Sequence, residues 1–195
     1  MSLGAVILTG GSSRRMGADK AAELWFGVRA VDRVAEVARA CGARHVVTAG
    51  DIDYGYETAP DPAPHSGPVG GLISGAQALR IRACDRGLFL AVDAPTLFPS
   101  DVAGLLAHPS PGAAFEGLPL PMVVDLSAWP AEAQSDWPLR RLVEKMGLVQ
   151  IVCPKDRWSH VRGANTPRER AALLVDQHDA HRDRIGRATP PSEKA

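Results

Sequence analysis

Near its start the chain reads Gly4-Ala5-Val6-Ile7-Leu8, an apolar run without polar alternation, and this run leads directly into Thr9-Gly10-Gly11. A strand that is apolar at successive positions must be covered on both faces, the condition of a parallel strand between helices. The stretch that follows, LTGGSSRRMGADK from Leu8 to Lys20, places Arg14, Arg15 and Lys20 around a further glycine, Gly17. A strand that opens into such a turn presents backbone N–H groups and fixed positive charge, the usual means of holding phosphate in α/β proteins.

The rest of the pattern agrees with that start. Ala30–Ala40 carries Val31, Val34, Ala35, Val37 and Ala38 at helical spacing, and Cys41-Gly42 supplies a stop. Arg44–Thr48 reads as a second strand and Tyr56–Thr58 as a short third, broken by PDPAPHSGP; Gly71–Arg82 reads as a helix. Gly87–Val92 is the clearest strand and ends in Asp93-Ala94-Pro95. Strand and helix alternate to about residue 107, which predicts a right-handed parallel α/β sheet. Beyond it, Ala113–Glu116 and Pro121–Leu126 are separated by Gly117 and Pro119, with Pro121 opening the second segment, so edge strands or a hairpin are expected. Pro138–Met146 reads as a helix and Val149–Val152 as a strand. Thr166–Leu174 reads as a helix with Asn165 as its cap and Pro167 in its first turn. Residues 1–175 are expected to form one domain, and the polar segment 176–195, ending in ATPPSEKA, a disordered tail.

Composition sharpens the reading of the first loop. The chain has 195 residues, with 22 Lys+Arg against 22 Asp+Glu, so its formal net charge is zero. A partner with a nucleic-acid backbone or an anionic membrane surface normally selects a basic excess, so neither is expected. The positive cluster at 14–20 is therefore a local feature with a local purpose. No apolar run is long enough to span a membrane, and Gly4–Leu8 is too short for a signal peptide. Cys41, Cys84 and Cys153 are too few and too scattered for a zinc site or disulfide framework, and read as reduced thiols of a cytoplasmic protein.

Two familiar phosphate loops can be tested and both fail. Gly11 and Gly17 are one residue too far apart for a P-loop, Lys20 lies three beyond Gly17, and Ala21 stands where the hydroxyl belongs. No glycine lies between Ser12 and Met16, which rules out the dinucleotide fingerprint. Three cations within seven residues still suit a triphosphate; a surface loop with solvated charges is the competing reading.

The same stretch resembles the signature L-[AT]-G-G-x-S-x-R-M-G-x-D-K of the MobA-like nucleotidyltransferases, and most closely that of their molybdenum cofactor guanylyltransferase branch. Further matches fall in the family's order: Asp61 before GPVGGL (67–72), VDAP (92–95), PLP (119–121) and ANTPRE (164–169). The resemblance implies a three-layer α/β/α, Rossmann-like nucleotide-diphospho-sugar transferase (GT-A-like) fold with a mostly parallel mixed sheet. It also implies transfer of GMP from GTP to the phosphate of molybdopterin, with Mg²⁺ as cofactor and proteins that deliver and collect the labile product.

On that resemblance Leu8, Thr9, Gly10, Gly11, Asp61, Gly67, Gly70 and Gly71 face the nucleotide, with the amides of Gly10 and Gly11 approaching it. Arg15 and Lys20 neutralise the triphosphate, Arg as a planar fork and Lys as a point charge, while Arg14 does the same or points to solvent. Asp93, at the carboxyl end of the clearest strand, suits Mg²⁺, which takes one or two carboxylates plus phosphate oxygens and water; a turn or helix-cap aspartate is the alternative. Asp61 can accept from both N1–H and the amino group of guanine, or be an ordinary turn residue.

Some positions depart from the family or are open between roles. Asn165 matches the second asparagine of the family's N-x-N-T-P, but Gly163 replaces the first, so a helix cap competes with a contact on the pterin side. Thr48–Asp51 offers no asparagine near the base. Arg140 and Arg141 could meet the pterin phosphate or line a solvated helix face. Trp158 with Arg162 could flank a pterin ring, or Trp158 could simply be packed. His178 and His181, with Asp176 and Asp179, suggest metal or a solvated tail. The competing functions are a cytidylyltransferase of the same cofactor, a sugar- or isoprenoid-phosphate transferase, and a nucleotide binder without turnover.

Overall fold

A computed structural model of the chain describes residues 1–10, 19–63, 67–164, 168–169 and 171–173. Strand β1 (Leu3–Leu8) leads, across the first loop, to a hairpin of β2 (Leu24–Trp25) and β3 (Val28–Arg29), then to helix α1 (Ala30–Ala40). There follow β4 (His45–Ala49), β5 (Glu57–Ala59), α2 (Gly67–Ile81), β6 (Arg86–Ala91) and α3 (Pro99–Ala107). The remainder is β7 (Gly112–Phe115), β8 (Leu118–Asp125), α4 (Leu139–Lys145), β9 (Val149–Ile151) and α5 (Trp158–Arg162).

Seven strands form one sheet in the order β5-β4-β1-β6-β8-β7-β9. β5, β4, β1 and β6 are mutually parallel, β8 runs against β6 and β7, and β9 is parallel to β7. The sheet is thus mostly parallel with β8 as its single reversed member. Its two faces are covered because the central strands are apolar on both. In β1, Ala5 and Ile7 join the core shared with α1, α3 and α5, while Val6 and Leu8 join the core shared with α2 and α4. In β6, Leu88 and Leu90 face the first layer and Phe89 the second, where its ring lies 5.4 Å from that of Trp129. Fully burying each of the larger of these, such as Ile7, Leu88 or Phe89, is worth about 1.5–3 kcal/mol of apolar transfer.

The close seat of α2 on the sheet rests on glycines at the contact, Gly75 and Gly71 on the helix and Gly4 of β1 beneath Leu79. A methyl carbon placed on Gly75 would lie 2.4 Å from Val6 Cγ1, so the helix backbone rides directly over β1. In the β2–β3 hairpin the two-residue turn Phe26-Gly27 has φ of 52° and 81°, the paired left-handed conformation such turns require.

The α/β alternation read from the sequence is present, with differences. Helix α2 begins at Gly67 rather than Gly71, since Gly67-Pro68 opens it: proline is preformed for a first helical turn. The segments around Gly117 do form a hairpin, but β8 and β7 lie inside the sheet; β5 and β9 are its edges. The prolines misled because Pro119 and Pro121 fall in an irregularity, between Leu118 paired to Phe115 and Met122 paired to Ala114, where ladder bonds are not needed. The β2–β3 hairpin and α5 left no reading in the sequence, while α3 was covered only by the general alternation to about residue 107. β2 and β3 have two residues each and α5 has five, too few for a period to show. Of the predicted helix at 166–174, the described residues 168–169 and 171–173 are helical; the segment from 176 lies outside the described residues.

Candidate active site

The parallel strands end level with one another. Leu8 pairs with Ala49 on one side and Ala91 on the other, and Ala49 pairs with Ala59. The residues just beyond, Thr9-Gly10, Gly50, Asp61 and Asp93, are therefore delivered to one edge of the sheet. The chain runs outward from β1 to β4 and β5, then crosses back to β6 on the far side of β1, with α1 and α2 on opposite faces. This reversal of strand order opens the crevice in which α/β sheets bind ligands.

On the β4 side the packing is tight. Thr9 N–H, Gly10 N–H and Thr9 Oγ1 all donate to the carbonyl of Ala49, at 3.0, 3.1 and 3.0 Å. The Gly10 amide, expected to approach the nucleotide, is thus occupied by Ala49. What Gly10 contributes is the space of a missing side chain: a methyl carbon there would lie 3.4 Å from Asp61 Oδ2. One on Gly71 would lie 3.3 Å from Asp61 Oδ1 and 3.0 Å from Leu8 Cδ2. The structure therefore brings Asp61, Gly10, Gly71 and Leu8 together, with the first turn of α2 alongside. Gly70 is buried in that turn, and Gly67 is exposed at its start.

On the β6 side stands Asp93. Burial pushes its carboxyl above the usual aspartate range, and the charge of Lys20 pulls it part of the way back. The charge of Lys20 thus reaches Asp93, although 73 positions separate them in the sequence. Lys20 is held by its neighbour. Asp19 Oδ1 accepts the N–H groups of Ala21 (3.0 Å) and Ala22 (3.3 Å), folding 19–22 into a turn. Val31 N–H then donates to the Ala21 carbonyl and Ala30 N–H to that of Glu23, tying this turn to the start of α1. Arg33 of α1 donates from Nε to the Pro95 carbonyl at 2.8 Å, binding the same helix to the turn after Asp93.

Asp93 is also grasped from the C-terminal part of the chain. Ala164 N–H donates to its carbonyl at 3.0 Å. Gly163 has φ 72°, and a methyl carbon on it would lie 2.1 Å from the same oxygen. Asparagine does not fit this backbone, which accounts physically for the departure from N-x-N-T-P.

Other candidates fare differently. Gly11, Arg14, Arg15, Asn165, His178 and His181 lie outside the described residues. Arg140 is exposed and paired to Glu144 one turn away at 2.9 Å, the solvated-face arrangement. Arg141 lies over the ring of Trp137 at 4.3 Å. Trp158 is 40% exposed rather than packed, and Arg162 pairs with Glu169 at 3.1 Å. Asp19, Tyr54, Arg33 and the Gly163 grip were missed; only Asp19 had a signal, as the aspartate of the D-K pair in the signature.

Among the described residues no three His, Cys, Asp or Glu side chains cluster as a self-sufficient metal cage. Asp93 alone still fits a hard cation that keeps water and phosphate ligands, because burial leaves its negative charge under-compensated. No helix among the described residues is long and apolar enough to cross a membrane.

A mostly parallel mixed sheet that brings Thr9-Gly10, Asp61 and Asp93 to one carboxyl edge, at a reversal of strand order, has the architecture of the nucleotidyltransferase class. The family model described as the MobA-like NTP transferase domain matches residues 5–134, and the chain belongs to that family. It is 32% identical over 186 residues, covering 89% of this chain and 95% of the relative, to the molybdenum cofactor guanylyltransferase of Xanthomonas euvesicatoria pv. vesicatoria (strain 85-10). Among solved structures, a nucleotidyl transferase from Methanothermobacter superposes with a TM-score of 0.68 at 12% identity, over 92% of this chain and 99% of that one. Molybdopterin-guanine dinucleotide biosynthesis protein A from Archaeoglobus fulgidus does so with 0.58 at 16% identity, over 90% and 98%. These two likenesses concern the fold.

Proposed function

We propose that this chain transfers GMP from GTP to the terminal phosphate of molybdopterin, forming the guanine dinucleotide of the cofactor and releasing pyrophosphate. The observation that carries the reading is the convergence of Thr9-Gly10, Asp61 and Asp93 on the carboxyl edge of the parallel strands, where Gly10 and Gly71 lie against the Asp61 carboxylate. The guanylyltransferase relative supports the choice of substrates.

In this reading a phosphate oxygen of the pterin attacks the α-phosphorus of GTP. The new P–O bond forms as the bond to the bridging α–β oxygen breaks, and pyrophosphate leaves with that electron pair. Such a transfer needs in-line placement and charge cancellation more than covalent help. Lys20, with Arg15, balances the triphosphate and the charge growing on the leaving group. Asp61 accepts from N1–H and the amino group of guanine, a pairing that cytosine cannot offer. The small surfaces of Gly10 and Gly71 let the base come close to that carboxylate, and the N-terminal turn of α2 adds a favourable dipole for phosphate. Asp93 would hold Mg²⁺, which when bound supplies charge neutralisation between phosphate oxygens. The pterin-side roles of Asn165 and Arg140, and the handover proteins, belong to this proposal too. That Cys41, Cys84 and Cys153 are all free thiols supports a cytoplasmic setting.

Two measurements test it. GTP with Mg²⁺ is expected to raise the unfolding temperature of the chain while CTP leaves it unchanged; the reverse order would select the cytidylyltransferase. With loaded molybdopterin, pyrophosphate release is expected, falling about 10²- to 10³-fold in Lys20→Ala. Undiminished turnover in that variant or in Asp93→Ala would overturn the mechanism.

A further inference from the structure

Lys20 is a point charge on a long flexible stem, so its position depends on the backbone that carries it. That backbone is fixed by Asp19, whose carboxylate is itself gripped from another part of the fold. Tyr54 Oη donates to Asp19, 2.9 Å from Oδ1 and 3.0 Å from Oδ2. Tyr54 is buried, with 6% of its surface exposed, and belongs to the loop between β4 and β5. It is held there in turn: Arg29 Nη2 donates to the Tyr54 carbonyl at 3.0 Å while its Nε and Nη2 fork onto Asp32 of α1. Tyr56 Oη also donates to Asp32, at 2.9 Å, and Asp53 accepts the N–H of Gly55 at 2.7 Å. The loop 53–56 is thus a braced strut whose tip is a phenol hydroxyl on the one carboxylate that shapes the turn of Lys20.

We infer that Tyr54 is a positioning residue for nucleotide binding: through Asp19 it sets where the turn that carries Lys20, and with it the Lys20 ammonium, stands. This rests on the reading of Lys20 as the triphosphate cation. A phenol that merely packs would contribute its ring to the core, and loss of the hydroxyl would leave nucleotide affinity alone. A phenol that positions Lys20 acts only while Lys20 is present.

The experiment is a double-mutant cycle on the full chain, reading GTP-Mg²⁺ affinity by calorimetry and kcat/KM by pyrophosphate release. Tyr54→Phe keeps the ring and is expected to weaken GTP binding and lower kcat/KM roughly tenfold, the loss of one hydrogen bond to a charged group. In the Lys20→Ala background the same change is expected to have no further effect, within about twofold. Asp19→Ala, which breaks the bond from the other side, is expected to match Tyr54→Phe or exceed it and to show the same dependence on Lys20. Equal losses with and without Lys20, or wild-type affinity in Tyr54→Phe while Lys20→Ala is impaired, would overturn the inference and leave the proposed function standing. Wild-type affinity and turnover in Lys20→Ala itself would instead remove the reading on which it depends.

Discussion

The Asp93 carboxyl stands half-buried at the end of β6 with Lys20 as its neighbouring cation, and burial outweighs that help. Its raised pKa has a definite sign for stability. In acid, below the ordinary value of 3.8, both folded and unfolded chains hold the proton and the residue is neutral. As pH rises the unfolded chain releases it first, so stability falls until the folded pKa is passed and stays lowered above it. Asp93→Asn is therefore expected to raise the melting temperature of the nucleotide-free protein near neutral pH, by an amount that shrinks as pH approaches 3.8, while abolishing turnover. Thermal unfolding across that range checks the first part; an unchanged or lower melting point at neutral pH would contradict it. At this scale the positions of Lys20 and Asp93 in the fold, though not their roles, were legible because each stands beside a local mark, a glycine-rich stretch or a strand end. Asp19 and Tyr54 were not: 35 positions separate them, and their bond exists only once β4 has brought its loop back over the first one. The Gly10 amide was misjudged for a related reason, since its partner is a carbonyl on a neighbouring strand.

Among the elements, α2 does the most to shape the crevice, and Gly75 sets its height over β1. Gly75→Ala would press a methyl group onto the branched Val6 side chain, which has no room to turn aside. A loss of about 1–3 kcal/mol is expected in chemical denaturation. Val6→Ala in the same chain should recover part of that loss, so the double variant is more stable than the two single effects added together. Strict additivity would show that the helix simply shifts away. Elements with a long apolar period, such as α1 and β6, could be read directly. β7 and β8 could be read as a hairpin but not assigned to the sheet interior, because proline marks unpaired backbone without saying whether an edge or an irregularity leaves it unpaired.

For the molecule as a whole, the join that matters is between the parallel half of the sheet and the reversed strand β8. Arg86 and Asp125 face each other across it, with Nε and Oδ1 2.7 Å apart and both side chains largely buried. Arg86 also donates to the carbonyls of Leu106 and His108, so one guanidinium binds β6, β8 and the end of α3. Asp125→Ala leaves that charge buried without its partner, and about 3 kcal/mol of stability should be lost, seen as a lower urea midpoint. The pair lies at the opposite end of β6 from Asp93, so turnover per folded molecule should be unchanged.

The bond from Ala164 to the Asp93 carbonyl closes across 71 residues of chain. During synthesis, β1, β4, β5 and β6 can leave the ribosome and pair while the last fifth of the polypeptide is still being made. The turn that presents Asp93, however, gains its final clamp only when residue 164 has emerged. A nascent chain halted before that point would own every strand of the parallel half and still lack the finished turn at Asp93, so that corner of the crevice is completed late in translation, well after the sheet has formed.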